Sequence, residues 1–127
     1  MCNAKPFGKK IWAFAAGHIP GLTTGPEPDF TSHDKISVLN TSSYNANVGI
    51  EIFYENAASV IFRTIEVKAR RLRKVRFNDL IDPLPVPLDT PFGFILTSDI
   101  EVIVQFSRMN TAQRALTSFC ITPYYIV

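Results

Sequence analysis

Apolar and polar residues alternate one by one along most of this chain, and no other feature restricts its fold so firmly. Val48, Ile50, Ile52 and Tyr54 alternate with Gly49, Glu51, Phe53 and Glu55. Successive side chains of a β-strand point to opposite faces, so such a segment can bury one face and present the other. The pattern recurs in residues 10–16, where Trp12 and Phe14 oppose Ile11, Ala13 and Ala15. It recurs again in Ile36, Val38 and Asn40, and in Ile61, Arg63, Ile65 and Val67. No window shows the i, i+3, i+4, i+7 spacing of an amphipathic helix. Residues 111–116 have room for one helical turn at most.

Turn residues separate these segments. Asn40-Thr41-Ser42-Ser43-Tyr44-Asn45-Ala46-Asn47 and Asn56-Ala57-Ala58-Ser59 each close a strand. The loop at 21–34 contains Gly25-Pro26-Glu27-Pro28, whose prolines lack ladder donors. Asp82-Pro83-Leu84-Pro85-Val86-Pro87 reads as a stiff crossover between sheets. Residues 92–97 and 100–107 read as two strands joined at Ser98-Asp99, the second buried on both faces. A last strand covers 115–122, and the apolar tail 123–127 follows. About eight short strands predict an all-β, antiparallel β-sandwich forming a single domain over residues 1–127.

At 127 residues the chain can bury a core without disulfide support. The two cysteines, Cys2 and Cys120, demand no oxidising compartment, and Cys120 reads as a small buried hydrophobe. No apolar run approaches the roughly 20 residues of a membrane span. The lysines before residues 11–16 imitate a signal peptide, but that apolar run is too short for one. The expected location is the cytoplasm.

Enzymatic signals are weak. Ser32-His33-Asp34 spells out a triad, yet neighbours on an extended chain point apart, whereas a triad converges from separate elements. His18 and His33 have no partner at metal-ligand spacing, and Glu27, Asp29, His33 and Asp34 match no standard site. No glycine-rich phosphate loop is present. The expectation is a non-enzymatic protein without metal or cofactor.

Polar chemistry concentrates at strand ends. Five of the 13 basic residues occupy positions 70–76, although the net charge is only +2. Alternation puts Arg70, Lys74 and Arg76 on one face and Arg71 and Arg73 on the other. That division, without interleaved aromatics, disfavours nucleic-acid binding. Arg76, Asn78 and Asp79 end the stretch with a guanidinium, an amide and a carboxylate, which suit a polyol or carboxylate ligand. Gln105 and Arg108 offer the same chemistry at another strand's end. Trp12 and His18 would add a flat apolar face and a polar tip, as a sugar-binding groove requires.

Several of these residues also carry a family resemblance. Trp12-Ala13-x-Ala15-x-Gly17-x-Ile19-Pro20, Gly25-Pro26-Glu27-Pro28, Ser32-His33-Asp34 and Val75-Arg76-Phe77-Asn78-Asp79-Leu80 resemble the sensory rhodopsin transducer family. Asp82-Pro83, Ser98-Asp99, Val104-Gln105 and Arg108 follow in the same order. The resemblance implies a small β-sandwich that assembles as a homotetramer. It also implies a small-molecule site for sugars or related metabolites and, in one member, signal relay from a membrane rhodopsin. DNA binding has been suggested for that member. Asn56-Ala57-Ala58-Ser59, Phe106, Met109-Asn110 and the tail depart from the family pattern.

Two functions therefore stand as expectations. The first is a sensory or regulatory domain holding a small polar, carbohydrate-like ligand. Trp12, His18, Glu27, His33, Arg76, Asn78, Asp79, Gln105 and Arg108 would form that site, with Trp12, Glu27, His33, Arg76, Asp79 and Arg108 lining one cavity. The alternative is a cytoplasmic transducer that docks on a membrane photoreceptor of the sensory rhodopsin type, and DNA binding stands behind both as a third reading.

Overall fold

The computed structural model describes residues 7–19, 33–77, 85–87, 89–110 and 117–126. Nine strands are present among them, and every pairing is antiparallel. They are β1 (Lys9–Gly17), β2 (His33–Asn40), β3 (Ala46–Tyr54), β4 (Val60–Ile61), β5 (Ile65–Val67), β6 (Arg71–Arg76), β7 (Phe92–Asn110), β8 (Thr117–Ile121) and β9 (Tyr124–Ile126). The expected all-β class is the observed one. The predicted helical turn at 111–116, residues 21–32 of the predicted 21–34 loop and residues 82–84 of the crossover lie outside the described residues, while His33 and Asp34, expected in the loop, open β2.

Strand β7 organises the molecule. Its first half runs between β1 and β3, with β9 beyond β1 and with β4 and β5 beyond β3. Its second half runs between β2 and β8, with β6 beyond β2. We call these two halves sheet A and sheet B. Each buries one face against the other, so the core lies between them.

The sequence reading divided β7 at Ser98-Asp99, and the structure corrects this. One 19-residue strand runs through both positions. Every even position from Phe92 to Phe106 faces inward, and Ser98 simply takes one such place. Its hydroxyl accepts the Ile100 amide at 3.3 Å, while the Asp99 carboxylate accepts the Asn47 backbone amide at 2.8 Å. Two polar residues with local partners do not break a strand. Nor is the second half buried on both faces, because Ile103 and Gln105 point outward.

A second correction concerns 61–67. The register against β3 shifts by one residue between β4 and β5, and Phe62 binds the Ile50 carbonyl across the shift at 2.9 Å. A one-residue slip exchanges the faces of a strand. Ile61 is therefore exposed whereas Phe62 and Val67 are buried, and simple alternation could not hold through this segment. The 115–122 strand and the tail likewise resolve into β8 and β9, the latter pairing with β1.

Aromatic rings bind the two sheets together. Phe14 stacks on Phe106 with centroids 4.0 Å apart, and Phe77 lies 5.2 Å from both Phe92 and Phe94. Phe77 follows directly on β6, so the core draws the end of the basic stretch inward. Asn40 fastens the opposite end. Its side-chain amide donates to the Tyr44, Val67 and Lys68 carbonyls, and its oxygen accepts the Ser42 amide and hydroxyl.

Candidate functional site

The inner face of sheet B ends in a charged pair. Asp34 occupies a core-facing position of β2, two residues before Ile36, and is 0% exposed. A carboxylate there requires a partner. Arg108 lies opposite it on β7, with Nε 2.7 Å from Oδ1 and Nη2 3.0 Å from Oδ2. The same Asp34 accepts the His18 amide at 2.7 Å, and Arg108 also donates to the Ala16 carbonyl. The pair thus joins the end of β1 to β2 and β7. The guanidinium lies 5.7 Å from the centre of the Phe106 ring, where a cation is favoured. The imidazole of His18 points toward Asp89, with Nε2 and Oδ1 4.0 Å apart.

The outer face of sheet B is different. Arg76 pairs with Lys35, which pairs on its other side with Ser107. The next row is Lys74, Ser37 and Gln105, and the one after it Leu72, Leu39 and Ile103. The Ser107 hydroxyl is buried without a hydrogen-bond partner among the described residues. Arg70 does not belong to this face. It adopts φ 60° in the turn before β6, where its amide donates to Ser42 O and its guanidinium to Thr41 O. Arg71 and Arg73 turn to the other side of β6, where Arg73 binds the Glu66 carbonyl at 2.9 Å.

The residues expected to form one ligand site therefore separate. Trp12 is 4% exposed, and its indole N–H is shared between the Lys9 and Val102 carbonyls. It packs edge-on against Tyr125 and offers no open ring face for a sugar. Arg108 and His18 meet at Asp34, but Arg108 lies six residues along β7 from the carbonyl that holds Trp12, roughly 20 Å away. Gln105 and Arg76 lie on the opposite face of sheet B from Arg108. His33 opens β2 opposite Met109, and its side chain is not among those described. Glu27, Asn78 and Asp79 fall outside the described residues.

Asp34 and Lys35 were missed by the sequence reading as members of these groups, whereas Lys74 shares the face of Arg76 as alternation predicts. A signal for Asp34 existed: it shares parity with Ile36 and Val38, so the alternation itself directs a carboxylate into the core.

Sheet A has a contrasting outer face. Ala13, Ala15 and Gly93 form a shallow floor, with Phe53, Ile95 and Tyr124 around it. This open, apolar depression has a volume of about 540 Å³. A smaller cleft of about 370 Å³ lies between Tyr54, the 55–58 turn, Pro85, Pro87 and Pro91. Burial raises the Tyr54 phenol above its ordinary value of 10.0. No group of three or more His, Cys, Asp or Glu side chains is assembled among the described residues. Among those residues, no helix is long and apolar enough to cross a membrane.

Comparison with known proteins is consistent with this architecture. The fold resembles the crystal structure of Thermotoga maritima 1070, with a TM-score of 0.81 and 24% identity, covering 94% of this chain and 96% of that one. It also resembles the Anabaena sensory rhodopsin transducer, with a TM-score of 0.71 and 39% identity over 80% of this chain and 95% of that one. A search of the curated proteins gave no match. The family model for the Anabaena sensory rhodopsin transducer matches residues 7–125. The chain belongs to the Anabaena sensory rhodopsin transducer family.

Proposed function

We propose that this protein is a non-enzymatic signal transducer that binds a membrane photoreceptor of the sensory rhodopsin type. The observation that carries the reading is the family match across 7–125, together with the 39% identity to the Anabaena transducer. The fold fits an adaptor: a rigid two-sheet body with a buried Asp34–Arg108 fastening and two broad outer faces of different chemistry. Such a body transmits a signal through what it contacts rather than through bond chemistry. A tagged sensory rhodopsin in mild detergent should retain this chain on a column, and retention no greater than that of an unrelated membrane protein would oppose the reading.

The same reading includes a cytoplasmic homotetramer. Its support is the apolar depression of sheet A, since a self-associating chain needs an apolar face to cover. Sedimentation of the parent chain and of Ile95→Asp tests it. A tetramer that the substitution converts to smaller species is the expected result.

A small polar ligand, sugar-like in character, remains a second reading on one observation. The buried Ser107 hydroxyl, which has no hydrogen-bond partner among the described residues, sits in the row of Lys35 and Arg76, where a ligand oxygen would satisfy it. Thermal-shift screening against sugars and carboxylate metabolites tests this reading, and Ser107→Ala should erase any stabilisation found.

A further inference from the structure

The outer face of sheet B combines two properties that a solvated surface does not need. One row, Leu72, Leu39 and Ile103, is apolar across three strands, with exposures of 55%, 37% and 36%. The neighbouring rows carry Lys74, Lys35 and Arg76. Lys35 and Lys74 stand diagonally on adjacent strands, roughly 7 Å apart at the backbone, where like charges repel. Glu101 is the carboxylate that shares this face among the described residues, and Lys10 faces it at 3.9 Å. Lys35 and Lys74 have no carboxylate partner among the described residues, so the face sets two cations beside an exposed aliphatic ridge.

We propose that this face docks on the surface of an anionic lipid bilayer. Lys35 and Lys74 would lie at the level of the lipid phosphates, and Leu72, Leu39 and Ile103 would enter the headgroup boundary. Charge complementarity and the aliphatic ridge together select this partner. Basic residues near an anionic leaflet each contribute attraction, and apolar side chains beside them add area-dependent affinity. Nucleic acid would use the cations but would leave the aliphatic row without a partner. Because the β6–β2–β7 surface is built from paired strands, it can meet a membrane without rearrangement. The inference rests on the transducer reading, for which it supplies a second point of attachment beside the receptor.

Vesicle flotation with the full chain tests it without any receptor. Vesicles of phosphatidylcholine alone are compared with vesicles containing about 30 mol% phosphatidylglycerol, a charge density that attracts basic protein surfaces. The parent should float only with the anionic vesicles and should be released as salt rises from about 0.1 to 0.5 M. Lys35→Gln combined with Lys74→Gln should weaken binding at least about tenfold while the melting temperature stays unchanged. Leu72→Ser should weaken it about threefold to tenfold. The proposal is overturned if the parent ignores anionic vesicles, binds both kinds equally, or binds unchanged after the lysine substitutions. It is also overturned if duplex DNA competes the protein off the vesicles and loses its own affinity through the same substitutions. Receptor binding in zwitterionic nanodiscs separates the two claims. Retention there without vesicle flotation removes this inference and leaves the transducer reading standing, whereas flotation without receptor retention does the reverse.

Discussion

Arg108 and Arg76 look alike in the sequence and stand on opposite sides of sheet B. Each sits toward the end of a basic or polar strand segment, and each is one strand away from β2. Arg108 pairs with even-numbered Asp34, so it meets the core face and a carboxylate that water cannot reach. Arg76 pairs with odd-numbered Lys35, so it meets the outer face and another cation. A single step in strand parity thus separates a structural ion pair from a cationic outer face. The chemistry of a residue type does not decide its role here; the face it is given does.

The largest expected effect breaks the inner pair. Arg108→Ala leaves Asp34 buried without its cation and should cost about 3–5 kcal/mol in urea unfolding. Replacing both partners, Asp34→Leu with Arg108→Met, should recover much of that loss, because neither charge then needs solvation. A double variant as unstable as Arg108→Ala would mean that the pair is more than a mutual fastening.

Asn40→Ala attacks the far end of the same inner face. It removes donors from three carbonyls and an acceptor from Ser42, and it should cost about 2–3 kcal/mol. Exchange protection of the amides around 42 and 70 should fall more than that of β7, since Arg70 N–H and Ser42 O meet there.

On the outer face the sign of the experiment changes. Lys35→Gln with Lys74→Gln should move stability by no more than about 0.5 kcal/mol, or raise it slightly by relieving repulsion. A loss comparable with that of Arg108→Ala would erase the contrast between the two faces. The smallest effect lies at Tyr54. Its phenol is held above 10.0 by burial, so the folded state favours the protonated ring. That contribution is complete below pH 10.0 and disappears as pH rises through the higher folded value. Melting curves across that range should fall less steeply for Tyr54→Phe than for the parent.

Much of the fold was legible in the sequence because period-two alternation is a local property. Val48–Ile50–Ile52 and Ile36–Val38 announce strands, and both segments are strands with those side chains inward. The errors came where local chemistry competed with the pattern. Ser98 and Asp99 look like a turn, but they are satisfied by Ile100 and Asn47 within a continuous strand. The register shift at 62–64 reverses the faces of a segment that seems uniformly alternating.

The site was less legible for a different reason. Convergence depends on which strands become neighbours, and no spacing in the chain announces that β2 lies between β6 and β7. Trp12 shows the difficulty best. Its ring suits a sugar, but its N–H finds a carbonyl 90 positions away and its body joins the core.

The transducer claim is tested most directly by titrating the full chain against a sensory rhodopsin in phosphatidylcholine nanodiscs, in darkness and under illumination. Lipids without net charge remove the contribution proposed for sheet B and leave the receptor alone to be read. The account predicts saturable binding whose affinity differs between the two light states, as a relay requires. Binding that is identical in both states, or no greater than to discs without receptor, would contradict it.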